Sequence, residues 1–223
     1  MGNFRMLNFD NLIKELDKYK FKQLHIHHTW KPAHKSFTGN NHIAIQQSMY
    51  NYHVNSNGWS DIGQHLTLFP DGAWVTGRPF NIAPASIKGW NTGALAVEMI
   101  GNFDIPGTGA INDLGYDLLQ GKQREEILKL MRYFINKYGE DSIKFHREGP
   151  GVTKTCPGTR LDKIMLIKEA KALTDKKHWA EEHYNNLKSI INITDKRFDD
   201  KITRGEAMAL VDKALDYIER KVK

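Results

Sequence analysis

Residues 94–100 read Ala-Leu-Ala-Val-Glu-Met-Ile, a nearly continuous apolar run that is interrupted only by Glu98. A short apolar run of this kind is typical of a strand buried on both faces of a sheet. A carboxylate inside such a strand is costly unless it has a partner or faces a cleft. This segment therefore predicts the central strand of an α/β protein, with Glu98 as a residue that needs a special environment.

Other strand and helix patterns lie on both sides of this run. Two β-rich segments, HLTLF and AWVTGR, flank the turn Pro70-Asp71-Gly72 and predict a hairpin. QLHIHHT at 23–29 and SIKFH at 142–146 predict two further strands, which gives five in all. Helical patterns cover 8–20, 42–54, 122–138 and 159–172. The order of elements predicts a mixed, mostly five-stranded sheet flanked by helices.

The composition changes near Thr174, beyond which two helical patterns flank a loop. We therefore expect one α/β domain over residues 1–172 and a small helical module over 174–223. A chain of 223 residues is long enough for such a pair.

Charge and hydropathy narrow the possible partners. The net charge of +6 suits an anionic partner, but basic residues do not form a stripe with interleaved aromatics, so we expect no nucleic acid. No apolar stretch reaches 18 residues, so we expect no membrane partner. The first 20 residues lack the pattern of a secretory signal. We therefore expect synthesis in the host cytoplasm and a separate route to any target outside the membrane.

Three residues could bind one metal ion: His27, His146 and Cys156. Each histidine lies at the end of a predicted strand, and Cys156 follows His146 across a Gly-Pro-Gly loop. Imidazole and thiolate are ligands that zinc prefers, and a catalytic zinc site keeps three protein ligands. The chain has ten histidines, however, so spacing alone leaves structural or exposed roles open. A lone cysteine is also most often a small buried apolar residue.

Four motifs in order add to this pattern. They are IHHTW at 26–30, DIGQHLTLFPDGAWVTGRP at 61–79, NTGALAVEMIGNFD at 91–104 and HREGPGVTKTCPGTRL at 146–161. Together they resemble the type-2 N-acetylmuramoyl-L-alanine amidases, a superfamily that includes phage endolysins, wall-recycling amidases and peptidoglycan-recognition proteins. The resemblance covers residues 20–172. It implies a mixed sheet with flanking helices, a zinc ion in a groove, and bacterial peptidoglycan as the partner.

The resemblance also assigns roles to individual residues. His27, His146 and Cys156 correspond to the family's zinc ligands, and Lys154 to the lysine two positions before the third ligand. Many relatives carry a tyrosine where this chain has Gln64, whereas others use a glutamate that Glu98 matches. We expect Glu98 to act as the acid and base, and Lys154 to stabilise the oxyanion.

Further residues complete the expected site. Gln64, Asn91 and Trp90 are expected to bind substrate, and Trp30 lies near the same groove; for Trp90 and Trp30, core packing is an equal alternative. His28 and His65 are runner-up metal ligands. Since successive strand residues face opposite sides, His28 should point away from the groove if His27 points into it.

The segment after residue 174 resembles an S-layer homology module. Such modules carry an HWA string, here at 178–180, and an Ile-Thr-Arg-x-Glu string, here at 202–206. The resemblance implies binding of secondary cell-wall polysaccharide through Trp179, Thr203, Arg204 and Glu206, with Arg204 contacting an anion. Thr203 and Glu206 also fit a plain helix capping box.

The sequence therefore predicts zinc-dependent hydrolysis of the amide between N-acetylmuramic acid and L-alanine, performed by a phage or prophage endolysin. The alternative is a related protein that binds peptidoglycan without cutting it.

Overall fold

The computed structural model describes residues 2–173, 184, 186, 187 and 203–222, the side chains of 204, 219, 221 and 222 excepted. The chain divides into two compact units, Met1–Leu173 and Thr174–Lys223. The division falls next to the boundary that the change in composition predicts.

One mixed sheet forms the centre of the first unit. Its six strands follow the order β1-β4-β3-β5-β2-β6. Strands β3, β5, β2 and β6 run parallel to one another. At one edge of the sheet, β4 pairs antiparallel with β3, and β1 pairs antiparallel with β4. The bounds are Met6–Leu7 (β1), Gln23–His28 (β2), Leu66–Leu68 (β3), Trp74–Thr76 (β4), Ala94–Met99 (β5) and Ile143–Phe145 (β6).

The predicted mixed α/β fold is confirmed, and the five predicted strands are all present. The sixth strand, β1, pairs only Met6 with Val75 and Leu7 with Trp74. Two residues are too few to produce an alternating pattern, so this edge strand has no signature in the sequence.

Four helices complete the first unit: Phe9–Leu16 (α1), His42–Asn51 (α2), Gly121–Tyr138 (α3) and Lys163–Ala172 (α4). The first is shorter than the predicted span of 8–20 and begins after Asn8, whose side chain accepts from the amide of Asn11. One π-helical turn, Tyr52–Ser56, continues α2. The predicted end of α3 at Gly139 is confirmed, since Gly139 has a φ of 81°.

The main core lies on one face of the sheet. Along β5, Leu95, Val97 and Met99 belong to this core, which also contains the apolar faces of α1, α3 and α4. Because side chains alternate along a strand, Ala96 and Glu98 point to the opposite face. On that opposite face, Ile45 and Met49 of α2 pack with Val75 in a second, smaller core. A site on this face is therefore confined to the part that α2 leaves uncovered.

The second unit contains one long described helix, Arg204–Val222 (α5). The predicted capping box at its start is confirmed: the amide of Glu206 donates to Thr203 Oγ1 at 3.2 Å, and the amide of Thr203 donates to Glu206 Oε2 at 2.8 Å. Of the helices described, none has the length and apolar character needed to cross a bilayer.

Candidate metal centre and catalytic cleft

A row of side chains crosses the open face of the sheet. Glu98 on β5 pairs in register with His27 on β2 and with Thr67 on β3. Paired residues on neighbouring strands project to the same face, so these three side chains lie side by side. His27 and Glu98 line a cleft of about 660 Å³ together with His146, Lys154 and Cys156.

His27, His146 and Cys156 converge at one end of this row. Their ligand atoms all lie within 4.8 Å of one another. Cys156 Sγ is 3.6 Å from Nδ1 of His27, and the two imidazole rings are 4.5 Å apart between centroids. Among the residues that the structure describes, no other group of three histidine, cysteine or acidic side chains approaches this closely.

The donor set fits a zinc ion. Imidazole nitrogen and thiolate sulfur are ligands that zinc prefers, and tetrahedral ligation at the usual bond lengths separates ligand atoms by about 3.5 Å. The 3.6 Å between Sγ and Nδ1 matches this separation. The triad therefore suits zinc.

Burial shifts the pKa of all three residues of the triad. The shifts favour metal binding by the two histidines and oppose it for the cysteine. Burial, and then the charge of His146, places the pKa of His27 well below its usual range, so its imidazole is neutral and can ligate. Burial and the Lys154 ammonium lower the pKa of His146. Burial raises the pKa of the Cys156 thiol, so the thiolate needs a cation beside it.

The loop that carries Cys156 is held from two sides. Arg147 donates to the carbonyl oxygens of Gly158 and Leu161 at 2.8 and 2.6 Å. Asp104, which is fully buried, accepts from Thr155 Oγ1 at 2.9 Å and from the amide of Thr159 at 3.0 Å. These contacts fix the loop on both sides of the thiol.

Glu98 and Lys154 lie beside the triad in the same cleft. Burial raises the pKa of the Glu98 carboxyl to about 7, although the nearby Lys154 ammonium acts in the opposite direction. A carboxyl with such a pKa can accept and return a proton near neutral pH. Lys154 lines the same cleft and is exposed.

Gln64 is buried under the cleft, and a chain of hydrogen bonds orients its amide. Gln46 Nε2 donates to the carbonyl oxygen of Thr76, Thr67 Oγ1 donates to Gln46 Oε1, and Gln64 Nε2 donates to Thr67 Oγ1. In the described part of the chain, Gln64 Oε1 is the one buried side-chain atom with no hydrogen-bond partner. The residue thus offers an acceptor where a tyrosine would offer a donor.

The runner-up ligands have structural roles. His28 is among the residues that line the cleft, and its Nδ1 accepts from the amide of Phe103 at 3.2 Å; its orientation away from the groove stays a prediction. His65 contacts the carbonyl oxygen of Ile82 through Nε2 and the amide of Ala96 through Nδ1. Both rings are committed to the backbone.

Of the other residues expected near the groove, Trp30 lines the cleft and donates through Nε1 to the carbonyl oxygen of Ala110. Asn91 and Trp90 are not among the described residues that line it. Asn91 Oδ1 accepts from the amide of Ser86, and the Trp90 ring lies under the Lys144 ammonium. These contacts give both residues a structural role, and their contact with substrate stays a prediction.

Comparison with known proteins agrees with this geometry. The sequence profile of the N-acetylmuramoyl-L-alanine amidases matches residues 17–159, more than half of the chain. This chain belongs to the N-acetylmuramoyl-L-alanine amidase family. The matched range contains both histidines of the triad, Cys156, Glu98 and Lys154.

Relatives of this amidase-family chain include recognition proteins as well as enzymes. The peptidoglycan-recognition protein SC1a of Drosophila melanogaster is 29% identical over 123 residues, which are 53% of this chain and 58% of the relative. An N-acetylmuramoyl-L-alanine amidase of Mus musculus is 31% identical over 91 residues, 40% of this chain and 17% of the relative. The chain thus spans little more than half the length of SC1a and less of the mouse enzyme.

Solved structures of the amidase fold resemble the chain at low identity. The amidase LysC from Clostridium intestinale has a TM-score of 0.51 at 23% identity, covering 70% of this chain and 88% of its own. Drosophila PGRP-LB has a TM-score of 0.50 at 22% identity, covering 72% and 82%. These likenesses show the fold.

Sequence reasoning missed two residues that support the site of this amidase-family chain. Ser86 Oγ lies 2.6 Å from Nε2 of His27, and Asp104 holds the Cys156 loop. Ser86 lies between the quoted motifs, and nothing in its own surroundings marks it. Asp104 is the last residue of the third motif, so its position in the sequence was a usable signal.

The C-terminal residues expected to bind the wall have a mixed outcome. Thr203 and Glu206 form the capping box of α5, which accounts for both side chains. Arg204 begins α5, and its side chain is not described. Trp179 lies outside the described residues. Wall binding by all four stays a prediction.

Proposed function

We propose that the chain is a zinc-dependent amidase that hydrolyses the bond between N-acetylmuramic acid and L-alanine in bacterial peptidoglycan. The observation that carries this proposal is the convergence of His27, His146 and Cys156 beside Glu98 and Lys154 in one cleft. Family membership over residues 17–159 supports the choice of bond. A binding protein alone would have no need for a neutral-pH proton acceptor next to three metal ligands.

The residues of the cleft divide the chemistry between them. Zinc, held by the triad, would act as a Lewis acid that polarises the scissile carbonyl and activates water near neutral pH. Glu98 takes the proton of the attacking water and returns it to the leaving nitrogen, because its raised pKa suits both transfers. Lys154 stabilises the negative charge that develops on the carbonyl oxygen.

Gln64 orients the substrate rather than moving protons. A carboxamide does not titrate, so Gln64 cannot act as the acid or the base. The residue lines the cleft, and its amide is held by the hydrogen bond from Nε2 to Thr67 Oγ1. We therefore assign to Gln64 a role in positioning the substrate at the wall of the cleft.

The proposal extends to the second unit and to the biological setting. The segment 174–223 binds secondary cell-wall polysaccharide, with Arg204 facing an anionic group of that polymer, since a guanidinium fork suits a carboxylate. The enzyme is a phage or prophage endolysin, made in the host cytoplasm and acting on the wall after release. Both parts rest on the resemblances described for the sequence.

The bond can be identified by its products. Purified protein is incubated with peptidoglycan, and newly exposed amino-terminal residues and reducing sugar ends are quantified separately. The proposal predicts new amino-terminal L-alanine without new reducing ends. New reducing ends would indicate a glycosidase, and amino-terminal residues other than L-alanine would indicate a peptidase; either result would overturn the proposal.

A recognition protein that does not cut is the second candidate. It is favoured by Gln64, which stands where many relatives carry a tyrosine, and by similarity to the recognition protein SC1a. The same incubation separates the two functions, because tight wall binding with one bound zinc and no released ends would favour recognition. Restoration of cleavage by Gln64→Tyr would then identify Gln64 as the cause.

A further inference from the structure

We infer that Gln23, His25 and Ser86 form a hydrogen-bonded relay that fixes the tautomer of His27 and leaves its Nδ1 lone pair free for a metal ion. The inference rests on the proposed zinc function, because the relay has a purpose only if His27 is a ligand. Ser86 and His25 are positioning residues in this account, acting on the metal through His27.

The relay starts at an atom that can only accept. Gln23 Oε1 lies 3.0 Å from Nε2 of His25. A carboxamide oxygen has no proton to give, so Nε2 of His25 must carry the hydrogen of this bond. In a neutral imidazole the other nitrogen is then an acceptor, and Nδ1 of His25 therefore presents a lone pair.

The hydroxyl of Ser86 links the ring of His25 to the ring of His27. Its Oγ lies 3.0 Å from Nδ1 of His25 and 2.6 Å from Nε2 of His27. A hydroxyl has a single hydrogen, which goes to the acceptor on His25. Ser86 Oγ must then accept from His27, so Nε2 of His27 is protonated.

The protonation of Nε2 determines the state of the other ring nitrogen of His27. With the proton on Nε2, Nδ1 keeps its lone pair, and Nδ1 is the atom that lies 3.6 Å from Cys156 Sγ. The relay therefore points the ligating nitrogen at the centre of the triad. An outer partner on the second nitrogen of a metal-bound histidine commonly changes metal affinity 10- to 100-fold when it is removed.

The fold supplies the parts of the relay. Gln23, His25 and His27 occupy alternate positions of β2, so all three project to the open face of the sheet. Ser86 comes from the loop before β5 and is held by its own backbone, since its amide donates to Asn91 Oδ1 at 3.2 Å. Replacing the Ser86 side chain thus leaves the loop anchor in place.

The first test reads the tautomers directly in the full-length, zinc-free protein. Long-range nitrogen–proton spectra of ring-labelled histidine, assigned with His27→Gln and His25→Gln variants, show which nitrogen carries the proton. The relay predicts protonated Nε2 and bare Nδ1 in both rings. A proton on Nδ1 of His27 in the wild-type protein would overturn it.

The second test measures zinc affinity by competition with a chromophoric chelator. Ser86→Ala should weaken zinc binding about 10-fold or more, and Ser86→Thr, which keeps the hydroxyl, should restore it. Ser60→Ala, at an exposed serine, is the matched control. Equal zinc affinities for Ser86→Ala and Ser60→Ala would contradict the relay.

The two readouts separate failure of the relay from failure of the proposed function. If the wild-type protein binds no zinc, the proposed function is wrong, and the tautomer spectra still decide whether the relay exists. If zinc binds but Nδ1 of His27 carries the proton in the zinc-free protein, the relay is wrong and the proposed zinc function is unaffected.

Discussion

Glu98 is the residue at which burial and charge act most directly on the proposed chemistry. Its neighbours in register are His27 and Thr67, and the Lys154 ammonium is close enough to lower a pKa that burial raises to about 7. The family resemblance predicted the role of this glutamate, and its place inside an apolar run predicted only that it needs a partner or a cleft. Its environment could not be predicted, because the neighbours come from distant segments.

Glu98→Gln should lower the rate of peptidoglycan cleavage by about 10²- to 10⁴-fold, since the amide can neither take nor return a proton. The measurement is release of amino-terminal L-alanine, with zinc content determined on the same sample. Glu125→Gln, at an exposed position of α3, is the matched control. Near-normal cleavage by Glu98→Gln with full zinc content would remove Glu98 from the mechanism.

The same carboxyl should make the stability of the zinc-free protein depend on pH. Its pKa is raised from 4.5 to about 7, so its stabilising contribution is fully present below 4.5 and is lost as the pH rises through about 7. Relative to Glu98→Gln, the free energy of unfolding of the wild type should fall by about 3 kcal/mol between about pH 4 and pH 8. Denaturant unfolding at both pH values measures this, and a pH-independent difference would contradict it.

The metal ligands and Ser86 show what a sequence can and cannot reveal about single residues. His27, His146 and Cys156 were predicted as ligands, and the structure brings them together. Ser86 was missed, because its contact with His27 depends on how one loop lies across the sheet.

The loop between β6 and α4 is the element on which the metal centre depends most. Gly158 has a φ of 115°, and a Cβ atom at this position would lie 2.4 Å from the carbonyl oxygen of Phe103. Gly151, in the same loop, also has a positive φ, 70°, but a Cβ there would meet no atom within 4 Å. The two glycines therefore share a positive φ but differ in their steric surroundings.

Gly158→Ala should destabilise the protein by more than about 2 kcal/mol and weaken zinc binding, because the loop must move away from Phe103 and take Cys156 with it. Gly151→Ala carries only the strain of the left-handed backbone, about 1 kcal/mol, and should keep zinc affinity. Thermal unfolding and zinc competition measure both. Equal effects of the two substitutions would show that the close approach does not position the ligand.

At the level of elements, alternation explains why the sequence predicted the sheet well and the cleft poorly. The run in β2 predicted a strand because Leu24 and Ile26, which lie in the core, alternate with polar residues. The run in β5 predicted one because it is nearly continuously apolar. Which face stays open depends on where α1, α3 and α4 pack. The packing of these helices depends on contacts across the whole first unit, so it cannot be predicted from the sequence of a single strand.

At the scale of the whole molecule, the division into two units separates chemistry from the proposed targeting. A chain ending at Leu173 contains the complete sheet, the triad and the cleft. It should keep its fold and zinc, cleave soluble muropeptide fragments at a near-normal rate, and lose binding to intact walls. Sedimentation with purified walls measures binding, and unchanged sedimentation of the shortened chain would contradict a targeting role for residues 174–223.

The resemblance to known families predicted more about the first unit than about the second. In the first unit four motifs, spread over 26–161, constrain one another through a single sheet. In the second, Thr203 and Glu206 form a capping box, a contact that any helix start can use. A local motif that has a plain structural explanation says little about a partner.

The most direct test of the zinc amidase is metal removal and replacement on the wild-type protein. Release of amino-terminal L-alanine from peptidoglycan is measured before chelation, after chelation and dialysis, and after addition of one equivalent of zinc. The account predicts that release is lost on chelation and returns with zinc, and that Cys156→Ala does not regain it. Undiminished release from the zinc-free protein would contradict the account.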